Sequence, residues 1–346
     1  MKRSSKTTPP LRFAVVGLGH IAQAAVLPAF RHARPHAELT ALVSGTRAKL
    51  SKLGSRYRVK HLVSYPDADK LFDSGAIDAV YIATPNTEHA DWAVRAAERG
   101  LHVLCEKPLA ATAAEARAVF DAARRNGVYI VEAYPYRAQP QTLKLRELLA
   151  ANTIGRVQII QASFGFPLSD TSNIRMQPDL AGGALMDAGS YPASLVRTIA
   201  GARPIRVHAA SRWAESGVDL STLATLEFAS GLLAQISCSF ATVRHRHAFI
   251  AGDAGSIVTT YFNDTGPMFP PLLEVKRGTG WDAQREVIET ASSNGFLAEA
   301  ESFYDLVRHG WGRWVGAMPE ESIDIAMMLD ALAASARTGA PVDLED

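Results

Sequence analysis

The chain has 346 residues, 47% hydrophobic and 21% charged, which supports two packed domains sharing a cleft and excludes a disordered chain. Lysine and arginine number 36 against 35 acidic residues, so no overall field favours nucleic acid or an anionic membrane surface. Two cysteines, Cys105 and Cys238, are too few for a disulfide framework and point to a reducing compartment; no apolar run of about 18 residues exists to span a membrane.

Residues 1–10 are basic and polar, with no signal-type apolar stretch behind them, so they read as a tail and the cytoplasm is the expected location. From residue 11 to about 135, short β-branched runs alternate with longer amphipathic ones. Strands are predicted at 12–16, 39–43, 79–83, 102–105 and 129–132, and helices at 21–31, 88–99 and 113–125. Such alternation means parallel strands with right-handed crossovers, a doubly wound Rossmann sheet. Gly100 and Gly127, each following a cationic last turn, read as helix ends.

After about residue 155 the texture changes. Strands are predicted at 157–166, 205–213, 220–229, 232–240, 248–251 and 256–261, with Ala229-Ser230-Gly231 as a hairpin connection. Helices are predicted at 190–199, 297–308 and 322–336. The expected fold is α/β: an N-terminal Rossmann domain, 11–135, then an α+β domain on a largely antiparallel sheet, 136–346, whose last helices can pack back on the first.

Ala14-Val15-Val16-Gly17-Leu18-Gly19-His20-Ile21-Ala22 is a strand running into a Gly-x-Gly-x-x-Ala turn and a helix. Gly17 permits the tight turn, Gly19 lets the backbone approach a pyrophosphate, and the helix N-terminus offers amide donors. At the end of the second strand, an NAD site would place a carboxylate for the ribose hydroxyls. Here Ser44-Gly45-Thr46-Arg47-Ala48-Lys49 has none, and Ser44, Arg47 and Lys49 form a set suited to a 2′-phosphate. NADP is the expected cofactor, with NAD as the alternative; the two cations also read as charges solvating the next helix. Thr84-Pro85-Asn86-Thr87-Glu88-His89 ends another parallel strand at the same edge, where Asn86 or Thr87 can cap a helix and His89 reads as structural.

Cys105-Glu106-Lys107-Pro108 ends a further interior strand, so Lys107 faces the crevice where doubly wound sheets bind ligands. Partial desolvation there is expected to lower its pKa. The competing reading is a lysine snorkelling before a turn proline. Gly182-Gly183-Ala184-Leu185-Met186-Asp187-Ala188-Gly189-Ser190-Tyr191 puts Asp187 and Tyr191 four residues apart on one helix face. Lys107, Asp187 and Tyr191 beside a nicotinamide would form a proton relay, with the ammonium lowering a phenol pKa from about 10. Asp187 also reads as a helix N-terminal charge, and Tyr191 as core packing.

These motifs, in this order from Val15 to about Ala333, resemble the Gfo/Idh/MocA oxidoreductases, in particular the glucose-fructose oxidoreductase and dihydrodiol dehydrogenase branch. The resemblance implies that Gly17, Gly19, His20, Ile21, Ser44, Gly45, Arg47, Lys49, Thr84, Pro85, Asn86, His89, Glu106 and Lys107 bind the cofactor. It further implies that Lys107 bonds the reacting substrate hydroxyl, that Glu106 contacts the nicotinamide ribose and that Asp187 orients the substrate. Tyr191 stands where inositol-dehydrogenase-like members carry His. Tyr136 and Arg137, beside a Pro135 that replaces a frequent Met, are expected on the nicotinamide side. The implied activity is NADP-dependent hydride transfer to or from a sugar or polyol in a homodimer or homotetramer, with no metal and no nucleic-acid or membrane partner. Competing readings are a trans-dihydrodiol-type dehydrogenase and a cofactor-binding sensor or scaffold without turnover; the intact Lys107, Asp187 and Tyr191 speak against the last. Loop 166–180, with Arg175, and residues 243–247 are the expected specificity regions, although Arg175 reads equally as a surface residue.

Overall fold

Strands that are apolar on both sides can be hidden only in a sheet covered by helices on both faces, which is the setting of parallel strands. In the computed structural model, which describes residues 8–344, six strands form one sheet of this kind, with the short edge strand His61–Val63 the exposed exception. They are β1 (Leu11–Val16), β2 (Ala37–Val43), β3 (His61–Val63), β4 (Ala79–Ile82), β5 (His102–Glu106) and β6 (Ile130–Ala133). All neighbours run parallel, in the order 3-2-1-4-5-6, so the chain reverses its winding between β1 and β4. That reversal opens a crevice at the carboxyl ends of the strands.

The two-residue period of β1 feeds two cores: Phe13 and Val15 on one face, Ala14 and Val16 on the other. The first face is covered by α1 (Leu27–Phe30) and α2 (Arg47–Tyr57), the second by α3 (Ala68–Phe72), α4 (His89–Ala97) and α5 (Ala113–Asn126). A wide π turn, Ala22–Val26, precedes α1. Pro28 lies in the next turn, and a proline ring clashes with the carbonyl four residues back, here Ala24 inside the widened turn.

The remaining chain builds a second layer pair. After α6 (Pro140–Ala150) come β7 (Val157–Gly165), α7 (Ser190–Ala200), β8 (Arg206–Trp213), β9 (Asp219–Glu227), β10 (Leu233–Ser239), β11 (His245–Gly252), β12 (Gly255–Thr260), β13 (Leu272–Arg277) and β14 (Gln284–Glu289). Then α8 (Gly295–His309), α9 (Pro319–Thr338) and β15 (Val342–Asp343) close the described chain. The nine strands form a mixed sheet in which every pairing is antiparallel except β7 with β10. Its inner residues, among them Ile160, Val207, Leu226 and Ile236, share a core with α7 and α9. Phe303 of α8 packs instead on Phe13 of β1, their ring centroids 5.7 Å apart, so the chain returns to the parallel sheet.

The strands expected from sequence are present within a few residues of their predicted ends, and Gly231, at φ +85°, makes the β9–β10 hairpin. The sequence reading did not find β3, α3, α6, β13, β14 or β15. Both cysteines are buried and free, and residues 1–7 of the expected tail lie outside the described residues. No helix among the described residues is long and apolar enough to cross a membrane.

Candidate active site

The Gly17 turn follows β1 directly. Gly17 has φ +90°, and a Cβ placed on it would lie 2.5 Å from the Ala83 carbonyl oxygen, so only glycine fits. A Cβ on Gly19 would find its nearest neighbour at 3.9 Å, so the protein leaves that side of the backbone open. Thr84, at the end of β4, is buried with its hydroxyl unpartnered among the described residues. Pro85 is partly buried beside it, His20 is exposed, and Ile21 is partly buried at the helix start.

At the end of β2, Ser44 is buried and its Oγ accepts from the Thr46 amide at 3.2 Å. Gly45 lies against the Tyr65 ring, where a Cβ would be 3.2 Å away. Arg47 and Lys49 are exposed on α2 and form no ion pair among the described residues. An open glycine backbone, an unpartnered buried hydroxyl and free cations beyond a strand end without a carboxylate fit a dinucleotide with a 2′-phosphate.

The central cluster joins the two sheets. Lys107 Nζ donates to Asp187 Oδ1 at 2.7 Å and to the Asp187 carbonyl oxygen at 3.1 Å. Arg175 Nε donates to Asp187 Oδ2 at 2.6 Å. Lys107 Nζ also lies 5.0 Å from the centroid of the Tyr191 ring. Asp187 is in a second π turn, Leu185–Gly189, that leads into α7 one turn ahead of Pro192. Asp219 holds that turn: its Oδ2 accepts from the Leu185 amide at 2.8 Å and from Thr222 Oγ1 at 2.9 Å. Asn86 Nδ2 donates to the Ala181 carbonyl at 3.0 Å, tying the end of β4 to the Gly182-Gly183 loop.

Charges in this cluster are decided by competition. Burial pushes the Asp187 carboxyl up, but Lys107 and Arg175 overcome it and hold the pKa at about 2. Burial pulls the Lys107 ammonium down, yet attraction to Asp187 and Tyr191 leaves its pKa raised. The expected lowering of the Lys107 pKa is thus corrected: its counter-ion is in hydrogen-bond contact. Burial raises the Tyr191 phenol and outweighs Lys107 and Arg246, so the expected lowering is also corrected. Glu106 ends β5 buried, its Oε1 accepting from Tyr81 at 2.7 Å, and desolvation raises its pKa despite Lys107.

Three further expectations change. His89 is buried with Nδ1 2.7 Å from the Pro108 carbonyl and Nε2 3.0 Å from that of Thr84, so its ring sits between the two loops as a structural residue. Tyr136 and Arg137 are fully buried, with their polar ends engaged by helices. Tyr136 Oη meets Ser194 Oγ at 3.0 Å, and Arg137 pairs with Glu321 at 3.0 Å and contacts Thr198, so α7 and α9 take both side chains. Arg175, left open between site and surface, is drawn in by Asp187. The sequence reading missed Asp219, Asn263 and Arg246. For Asp219 and Asn263 only tertiary structure supplies the signal; Arg246 lay inside the flagged segment 243–247.

A Rossmann crevice bordered by a lysine–aspartate–tyrosine cluster defines a dinucleotide-dependent oxidoreductase. Residues 11–134 match the family model described as the oxidoreductase family with an NAD-binding Rossmann fold, and residues 142–258 match the GFO/IDH/MocA C-terminal domain. The chain is 35% identical to a D-xylose 1-dehydrogenase (NADP(+)) of Haloferax volcanii, over 97% of this chain and 100% of that one. Among solved structures it is similar to an aldose-aldose oxidoreductase from Caulobacter crescentus complexed with glycerol (TM-score 0.87, 27% identity, 97% and 100% of the two chains). It is also similar to a 3-ketoreductase from Actinomadura kijaniata in complex with NADP and TDP-benzene (TM-score 0.84, 28% identity, 94% and 98%). The chain belongs to the Gfo/Idh/MocA oxidoreductase family.

Proposed function

We propose that this chain is an NADP-dependent oxidoreductase that interconverts a secondary alcohol and a carbonyl on a sugar or polyol. The observation that carries the reading is the Lys107–Asp187 ion pair, 2.7 Å long, beside Tyr191 at the carboxyl end of β5. Gly17, Gly19, Thr84, Pro85, Asn86, His20, Ile21 and Glu106 would cradle the nicotinamide and pyrophosphate half of the cofactor, and Ser44, Gly45, Arg47 and Lys49 its 2′-phosphate. When bound, the cofactor accepts or supplies the hydride.

This chain's own residues handle the oxygen. Asp187 keeps Lys107 charged, so the ammonium acts as a fixed donor that stabilises negative charge on the substrate oxygen. Tyr191, neutral at ordinary pH, carries the proton. In the reducing direction the carbonyl carbon gains a hydride, its π bond opens onto oxygen, and Tyr191 gives that oxygen a proton. In the oxidising direction the reverse holds: Tyr191 enters as the phenolate, takes the substrate O–H proton as the C=O bond forms, and the carbon gives up its hydride to the bound cofactor. Arg175, held by Asp187 through Nε, keeps its terminal nitrogens for substrate hydroxyls.

Residues 11–135 hold the cofactor in this reading, and 136–346 hold the substrate and the subunit contact. The outer face of the mixed sheet exposes Ile159, Leu223, Leu233, Val258 and Val287, and a second copy of the chain would cover it. The test is a panel of aldoses, inositols and aromatic trans-diols with NADP or NAD, followed at the reduced-nicotinamide absorbance band. Turnover of an aldose or polyol with NADP preferred over NAD is expected. Turnover confined to aromatic diols, or nucleotide binding with no turnover across the panel, contradicts it.

A further inference from the structure

Tyr191 is held by a chain of hydrogen bonds whose direction is fixed. Asn263 Nδ2 donates to Tyr191 Oη at 2.9 Å, and Arg246 Nη1 donates to Asn263 Oδ1 at 3.2 Å. A guanidinium has no acceptor, so the Asn263 atom that meets Arg246 must be its oxygen. The amide nitrogen is thereby turned to Tyr191, and the phenol oxygen must accept. No group among the described residues takes the proton of Tyr191 in return.

The supports of this chain come from four elements. The Asn263 carbonyl oxygen accepts from Gln139 Nε2 at 2.8 Å and from the Gly295 amide, where α8 begins, at 2.8 Å. Arg246 projects from β11, and Tyr191 from α7. Arg246 is buried and has no carboxylate partner among the described residues; its Nε and Nη2 find no hydrogen-bond acceptor there. Its guanidinium lies over Tyr191 at 3.9 Å from the ring centroid, with Tyr261 at 4.6 Å and Phe164 at 4.9 Å. A buried cation without a counter-ion is costly. A phenolate at Tyr191 would supply one.

We propose that Asn263 and Arg246 are positioning residues for Tyr191, which fix its oxygen as an acceptor from the protein and so reserve its proton for the substrate oxygen. The proposal rests on Tyr191 as the proton carrier of the reading above. The charged and titratable groups that face Tyr191 are Lys107 and Glu106 from the end of β5, Arg246 from β11, Arg175 from the loop before α7, and the phenols of Tyr81, Tyr134 and Tyr136. Asn263 is the neutral member that sets direction.

Asn263→Asp tests this. A carboxylate there accepts from both Arg246 and the Tyr191 hydroxyl, so the phenol proton is drawn back to the protein. Arg246 gains a counter-ion, which supports folding. Turnover of an aldose identified by the panel is expected to fall about tenfold or more while the KM for NADP is unchanged. In ring-labelled protein without substrate, the NMR titration of Tyr191, assigned by its absence in Tyr191→Phe, is expected to move to higher pH. In a Tyr191→Phe background, Asn263→Asp is expected to cost nothing further. An unmoved Tyr191 titration, or an equal loss of rate in the Tyr191→Phe background, overturns the relay. Normal turnover in Tyr191→Phe would instead overturn the proton-carrier reading, and the NMR titration still decides the relay by itself.

Discussion

Asp187 shows how one carboxylate organises a site. It holds Lys107 and Arg175 on separate oxygens, and the two cations keep it ionised down to about pH 2 although it is nearly buried. Glu299 on α8 is the opposite case. It is buried, neither carboxyl oxygen has a hydrogen-bond partner among the described residues, and burial, with Glu106 and Glu132 adding to it, raises its pKa well above the usual range. A carboxyl raised on folding contributes stability below its unfolded pKa, about 4.3, and that contribution is lost as pH rises toward the folded value. Glu299→Gln removes the titration. Its Tm relative to wild type should therefore improve as pH rises above about 5, and a Tm difference that does not change with pH would contradict this. At this scale Lys107, Asp187 and Tyr191 were legible, since each ends a recognisable motif. Asn263 and Asp219 were not, because neither carries a local pattern and each holds a group distant in the chain, and Arg246 was legible only as part of the segment 243–247. The pKa directions of Lys107 and Tyr191 were misread because burial and counter-ion contact are properties of the packed site.

At the scale of elements, the two glycines of the first turn make separable predictions. Gly17→Ala forces a side chain into positive φ and against the Ala83 carbonyl, so it should destabilise the protein by about 1–3 kcal/mol or more from backbone strain. Gly19→Ala meets no protein atom closer than 3.9 Å. Its Tm should be close to wild type while the NADP Kd rises at least about tenfold, because the methyl group occupies the pyrophosphate approach. Equal losses of stability in both variants, read by thermal melts beside cofactor titration, would contradict this division. The strands and helices bordering the crevice could be read from period alone. The two π turns could not, because their cause is a proline in the following turn, Pro28 or Pro192, and not a hydrophobic pattern. β14 escaped because it is exposed on both faces, so no alternation marks it, and β3 and β15 because they are three and two residues long.

The whole molecule is two sheets joined through the Lys107 loop, the Gly182-Gly183 segment and the return of α8 to the parallel sheet. Both sheets and their order of appearance were visible in the change of texture near residue 155, whereas the strand order of the second sheet, with its single parallel pairing, depends on long-range contacts. Its outer apolar face is the proposed subunit contact. Leu223→Glu with Leu233→Glu should shift the particle to monomer mass in light scattering while leaving the Tm of the fold nearly unchanged. A wild-type chain already at monomer mass would contradict the contact.

The central claim is that Lys107 serves the chemistry and not the binding of the dinucleotide. Steady-state turnover of Lys107→Ala on the aldose identified by the panel, paired with NADPH affinity by fluorescence, tests it most directly. The expected result is a fall in kcat of about 100-fold or more with an NADPH Kd within about threefold of wild type. Unchanged kcat, or a loss of rate that follows lost NADPH affinity, would contradict it.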